Sequence, residues 1–265
     1  MLKERIYRRL YFYWDISITR LFKIKSIVLW FVFEKYYYSR ILFRQYRIED
    51  IRLYHFRGWH NGTSTLIGKR QGKKVFIKRS VIKDAVEAEV NNINRLNACG
   101  SNRYFETCEI LGTMHLGHQY IVIESFIEGV SFANALPSLS NEDISVILLK
   151  LNDILSFFRE IKFIHCDFTP DNIFLSEGAL YLIDFEFSTF TDKLTYNKRL
   201  LSLPKVKING LGGVYSLRNG LIDDSYSLVQ IINRHYPAFS VLHKDVWVSL
   251  NLNIQKNSIM PKAIQ

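Results

Sequence analysis

The sequence predicts an α+β fold, and three observations carry that expectation; its division into two lobes is what the family resemblance set out below implies. First, Lys73-Lys74-Val75-Phe76-Ile77-Lys78 alternates as a strand does, and Tyr120-Ile121-Val122-Ile123 reads as a second, buried one. Second, Val86, Val90, Ile93 and Leu96 recur at three- and four-residue spacing, which predicts a helix over 84–96. Third, 265 residues at 48% hydrophobic composition are enough to bury a full two-lobed core. The expected organisation is an N-terminal extension over 1–50, a small lobe over 51–125 and a mostly helical large lobe over 126–265. The tail after about 245 (Trp247, Leu250, Leu252) is expected to form a last short helix.

The extension is basic and aromatic. Residues 1–50 hold eleven Lys/Arg against five Asp/Glu, within a net charge of +10 for the whole chain. Tyr7, Tyr11, Trp14, Trp30, Tyr36, Tyr37 and Tyr38 are among its many rings. Its longest apolar run, 26–33, is far short of the ~20 residues that a spanning helix needs. Such a mixture suits a helix lying in an anionic headgroup layer. It also suits a helical layer packed on the domain behind it. A nucleic-acid surface is not expected, because no recognised nucleic-acid module accompanies the charge.

The segment with the most chemistry is Phe163-Ile164-His165-Cys166-Asp167-Phe168-Thr169-Pro170-Asp171-Asn172-Ile173-Phe174-Leu175. Twelve residues after Asn172, a predicted strand over 179–183 ends in Asp184-Phe185-Glu186. Phosphoryl transfer to a hydroxyl needs a carboxylate that orients the hydroxyl and takes its proton. It also needs oxygen ligands for magnesium. Asp167 suits the first role. Asn172 and Asp184 suit the second, since a short loop can fold Asn172 back toward a strand-end carboxylate. Glu186 is either a further carboxylate of the metal site or a solvated residue after the strand.

This arrangement resembles the catalytic loop and metal-binding segment of the protein-kinase-like superfamily. The resemblance covers about 55–235 and implies ATP and Mg2+ as cofactors. It nominates Lys78 as the lysine that holds the nucleotide phosphates, and a helix glutamate that positions it. Glu89 is preferred over Glu87, because Ile93 and Leu96 follow it at +4 and +7. The stretch 57–65 resembles a loose phosphate loop, in which Asn61, Gly62, Thr63 and Ser64 would approach the nucleotide. The strand at 120–125 would lead into a hinge whose backbone near Glu124 and Phe126 holds the adenine. Asp224-Ser225-Tyr226-Ser227-Leu228 resembles a large-lobe helix start whose Asp supports the catalytic loop from beneath. The segment between Glu186 and Asp223 is short, which implies a reduced large lobe.

The wording His-x-Asp-Phe-Thr-Pro-x-Asn looks more like aminoglycoside phosphotransferases and choline kinases than like protein kinases. Cys166 and Thr169 stand where protein kinases usually carry Arg and Lys, and no Ala-Pro-Glu segment is present. Small basic kinases of this type resemble lipopolysaccharide-core sugar kinases. The expected activity is therefore ATP-dependent phosphorylation of a sugar or glycan hydroxyl, with a small-molecule or glycolipid acceptor. The alternatives are a soluble choline- or aminoglycoside-type kinase, then an atypical protein kinase, then a nucleotide-binding pseudokinase.

The three cysteines, Cys99, Cys108 and Cys166, have no metal or disulfide spacing. A cytoplasmic setting is expected, peripheral on the inner face of the membrane if the extension binds lipid. No secretory leader is expected, because Lys3, Glu4, Arg5, Arg8 and Arg9 interrupt any apolar run.

Overall fold

The computed structural model describes residues 35–54, 64–191, 212–215 and 222–254. The chain divides into two compact units, 1–83 with 109–126 and 84–108 with 127–265.

The first unit is a five-stranded antiparallel sheet covered by one helix. Helix α1 (Lys35–Tyr46) precedes strands β1 (Ile48–Leu53), β2 (Ser64–Arg70) and β3 (Lys73–Ser80). Strands β4 (Ile110–Leu116) and β5 (Gln119–Ser125) complete a sheet of order β1-β2-β3-β5-β4. Alternation puts Leu66, Val75, Ile77, Ile121 and Ile123 on one face, where they form a core with Tyr38 and Leu42 of α1 and Ile48 and Ile51 of β1. Tyr46 closes the helix against the sheet. Its hydroxyl donates to the Thr113 carbonyl at 2.7 Å, and its ring occupies the space a Cβ at Gly112 would need.

The extension expected over 1–50 is corrected for its second half. Residues 35–50 are not an appendage, because α1 and β1 supply part of this core. The physical reason is the pair Tyr38 and Leu42, four apart on one helix face. Residues 1–34 lie outside the described residues.

The second unit opens with helix α2 (Lys83–Ala98), whose sequence position had placed it in the small lobe. Its buried face carries Val86, Glu89, Asn92, Ile93 and Leu96. Asn92 explains the assignment, since its side-chain amide donates to the carbonyls of Phe185 at 3.0 Å and Ser188 at 2.7 Å. Strand β6 (Val130–Ser131), short helix α3 (Phe132–Ala135) and helix α4 (Asn141–Glu160) follow. Ser140 starts α4 through a capping box with Asp143, which satisfies donors at the helix start.

Strand β7 (Phe163–Ile164) leads into the candidate loop and strands β8 (Ile173–Ser176) and β9 (Ala179–Leu182). β6, β8 and β9 form a three-stranded sheet, and β10 (Thr189–Phe190) pairs with β7. Helices α5 (Asp224–His235), α6 (Phe239–Leu242) and α7 (Lys244–Asn253) end the described chain. The core here is aromatic, with Phe132, Phe158, Phe163, Phe168, Phe185, Phe190 and Phe239 all fully buried. Among the described residues, no helix is long and apolar enough to cross a membrane.

Candidate phosphoryl-transfer site

The loop between β7 and β8 brings Asp167 and Asn172 into contact. The Asn172 amide donates to the Asp167 backbone carbonyl and to its Oδ2, each at 2.9 Å. A turn over Pro170–Asn172 makes this possible, and Ile183 N–H donates to the Asn172 carbonyl at 3.1 Å. That bond ties the loop to the residue before Asp184. Asn172 thus spends its nitrogen on Asp167 and keeps Oδ1 as the oxygen available to a cation.

Of the seven non-glycine residues with left-handed backbone angles among the described residues, two are at the site, Cys166 at φ 70° and Asp184 at φ 65°. This region costs a non-glycine residue on the order of 1–3 kcal/mol, and such strain clusters at functional sites. Asp184 stands where β9 ends, beside Phe185, which is fully buried.

The catalytic-loop backbone is held from α5. Oδ2 of Asp224 accepts from His165 N–H at 2.6 Å, and Oδ1 accepts from Cys166 N–H at 3.2 Å. The His165 ring is buried against Phe185 and Phe168, with ring centres 5.0 and 6.1 Å away. Its Nε2 lies 3.1 Å from the Ile183 carbonyl, which can only accept, so the neutral ring carries its proton there. Burial pushes the ring's pKa down to about 4. Ser188 donates its hydroxyl to the His165 carbonyl at 2.9 Å. The loop is therefore braced from α5, from the strand end at Ile183 and from the turn after Asp184.

Electrostatics fit a divalent cation. Burial, the Asp184 charge and the Glu186 charge push the Asp167 carboxyl up to about 6, against hydrogen bonds from Gly212 and Asn172. Asp167 thus feels the charges of both Asp184 and Glu186. Among the described residues, no three His, Cys, Asp or Glu side chains converge tightly enough to form a cage of their own. Two protein ligands plus nucleotide phosphates and water are the usual holding for magnesium. Asn172 and Asp184 suit that set, and Glu186 faces the same field from the turn beyond.

The nominated residues fall in both units. Lys78 is half-buried on β3, opposite Thr65 and Val122, and so on the face away from the α1 core. Glu124 is buried on that same face, opposite Phe76, and Phe126 follows the end of β5. Phe126 is also where the first unit ends, with Tyr54 edge-on to its ring at 5.9 Å and Lys74 over it at 5.3 Å.

Ser64 is corrected. The register sets it opposite Arg79, one position from Lys78, so it lies on the other face of the sheet. Its buried hydroxyl accepts from Arg79 Nε at 2.8 Å and is not presented to a phosphate. Asn61, Gly62 and Thr63 lie outside the described residues. In the second unit, Glu89 is buried on α2 whereas Glu87 is exposed.

Sequence reasoning missed Asn92, Ser188, Gly212 and the bracing role of the His165 ring. Asn92 carried a signal, being a polar residue one position from Ile93 on the apolar stripe of a helix. Ser188 and Gly212 carried none, since the hydroxyl of the first and the backbone N–H of the second reach the loop by contacts that only folding creates.

An α+β fold of two units, with the Asp167–Asn172 loop and Asp184 in the second, is consistent with a protein-kinase-like domain. The RIO domain family matches residues 46–200, more than half of the chain. The chain belongs to that family, an atypical protein-kinase-like one that uses ATP and Mg2+. The aminoglycoside, choline or lipopolysaccharide-core subtype suggested by the loop's wording is thereby replaced at the family level. No curated protein matches the chain.

Proposed function

We propose that this chain is an ATP- and magnesium-dependent atypical protein kinase that phosphorylates a hydroxyl on a protein, its own chain included. The reading is carried by the Asp167–Asn172 pair beside Asp184, inside the matched RIO segment. The acceptor oxygen attacks the terminal phosphorus of ATP, the bond to the bridging oxygen breaks, and ADP leaves. Asp167 orients the acceptor hydroxyl and takes its proton. Lys78 is the residue that holds the nucleotide's phosphates. Glu124 and Phe126 mark the adenine side. Asn172 and Asp184 would hold magnesium, which would supply neutralisation of phosphate charge when bound.

One observation favours a second reading, a small-molecule or glycan hydroxyl as acceptor. Thr169 and Cys166 replace the Lys and Arg that flank the catalytic Asp of ordinary protein kinases. One experiment separates the two. The chain is incubated with ATP labelled in the terminal phosphate, alone, with a protein mixture, and with sugar and glycolipid extracts. Label on Ser or Thr of a protein, mapped by mass spectrometry, supports the first reading. Label confined to sugars supports the second. ATP bound but never consumed in any mixture would leave a pseudokinase and refute both.

A further inference from the structure

Helix α1 has two faces of opposite character. Tyr38 and Leu42 point into the sheet core. The other side carries Tyr36, Tyr37 and Phe43, which are 76%, 53% and 42% exposed. Lys35, Arg40, Arg44 and Arg47 are exposed on the same short stretch, with Arg47 lying 5.6 Å from the Phe43 ring centre. No Asp or Glu occurs in α1. The nearest acids in sequence are Glu34, directly before the helix, and Glu49 and Asp50 of β1, and Asp50 is engaged with Lys69 at 3.2 Å. Tyr37 touches the core only edge-on through Tyr38, with ring centres 5.9 Å apart, and Tyr36 and Phe43 are not among the core residues of the sheet.

We propose that this outer face of α1 binds the surface of an anionic lipid bilayer. The helix is about 18 Å long at 1.5 Å per residue and would lie flat on the headgroups. Tyrosine and phenylalanine sit at the headgroup–acyl boundary while arginines meet lipid phosphates, the pattern of interfacial helices. The sequence immediately upstream, 26–33, is an apolar run in which Ile27, Val28, Leu29 and Val32 suit an acyl boundary and offer nucleic-acid bases no stacking face. The local excess of positive charge within residues 1–50 adds attraction at longer range. This inference is independent of which hydroxyl the kinase phosphorylates.

The test uses the full chain, with vesicles of phosphatidylcholine alone and with added phosphatidylglycerol. Co-sedimentation with the anionic vesicles is expected, weakening as salt rises. The combined variant Arg40→Gln, Arg44→Gln, Arg47→Gln should lower the partition coefficient on the order of a hundredfold. The pair Tyr36→Ala, Phe43→Ala should also weaken binding, with the salt dependence kept. Both variants should keep the wild-type melting temperature and ATP turnover without vesicles, which separates this proposal from the kinase reading. Undiminished vesicle binding by the arginine variant would overturn the proposal. So would equal binding to neutral vesicles, or binding to single-stranded RNA with none to anionic vesicles.

Discussion

The backbone N–H of Gly212 donates to Oδ1 of Asp167 at 2.6 Å, across 45 residues of sequence. With Asn172 on Oδ2, both oxygens of the acceptor-facing carboxylate are oriented by the protein. The turn that contains Gly212 is itself pinned to α5. Tyr215 Oη lies 2.8 Å from His235 Nε2, and Arg234 Nη2 donates to the Val214 carbonyl at 3.4 Å. Tyr215→Phe should therefore loosen Asp167 without touching it. The expected result is a several-fold fall in kcat, the scale of one net hydrogen bond, with KM for ATP unchanged. Steady-state kinetics in both substrates checks it. A rise in KM for ATP with kcat intact would contradict the positioning role.

Asp167→Asn should lower turnover by ~10²–10⁴-fold, the usual range for a group that transfers a proton. Nucleotide affinity should stay within a few-fold, because the phosphates are assigned to other residues. Isothermal titration with ATP and a turnover assay on the same preparation measure the two effects separately.

The Asp184 charge is one cause of the raised Asp167 carboxyl, after burial. Replacing Asp184 by Asn removes a like charge and must move the Asp167 pKa down from about 6. Burial, the larger cause, remains, so the group should stay above its ordinary value of 3.8. Carboxyl carbon chemical shifts followed against pH without metal report this directly. The same substitution, like Asn172→Ala, should abolish the magnesium dependence of nucleotide binding.

Asp224 and His165 oppose one another in pH. Burial pushes the Asp224 carboxyl up to about 7 from 3.8. The folded chain then holds that proton more tightly than the unfolded chain. Its contribution is complete below pH 3.8 and is lost as pH rises through about 7. His165 is depressed to about 4 from 6.5, so its contribution is present above pH 6.5 and lost as pH falls through about 4. In Asp224→Asn the first of these two slopes is removed, and melting temperature should rise more steeply with pH between 4 and 6.5 than in wild type. Asp224→Ala should be worse at every pH, since it leaves two buried N–H groups unsatisfied at about 1–3 kcal/mol each.

Gly129 lies where β6 begins, and a Cβ there would collide with the Leu175 carbonyl of β8. Backbone cannot yield as a side chain can. Gly129→Ala should destabilise the second unit by about 1–3 kcal/mol, the cost of overpacking, measurable as a lower urea midpoint.

Much of this protein was fixed by local pattern. The alternation at Val75 and Ile77, the helical stripe through Val86, Ile93 and Leu96, and the order Asp167, Asn172, Asp184 were all legible. Each depends on spacing along the chain, which folding does not alter. The family match spans these residues, although the loop's wording pointed to a different branch. Other features were decided only in three dimensions. The register of β2 against β3 turned Ser64 away from Lys78, and a one-residue alternation is enough to do that. Tyr38 and Leu42 drew part of an apparent extension into a core. Asn92 drew α2 into the unit that holds Asp184. Gly212 reached Asp167 through its backbone, for which glycine's identity carries no signature. Sequence determined which groups are available for chemistry. Tertiary structure decided which of them meet, because hydrogen bonds and burial act across distances that local spacing does not encode.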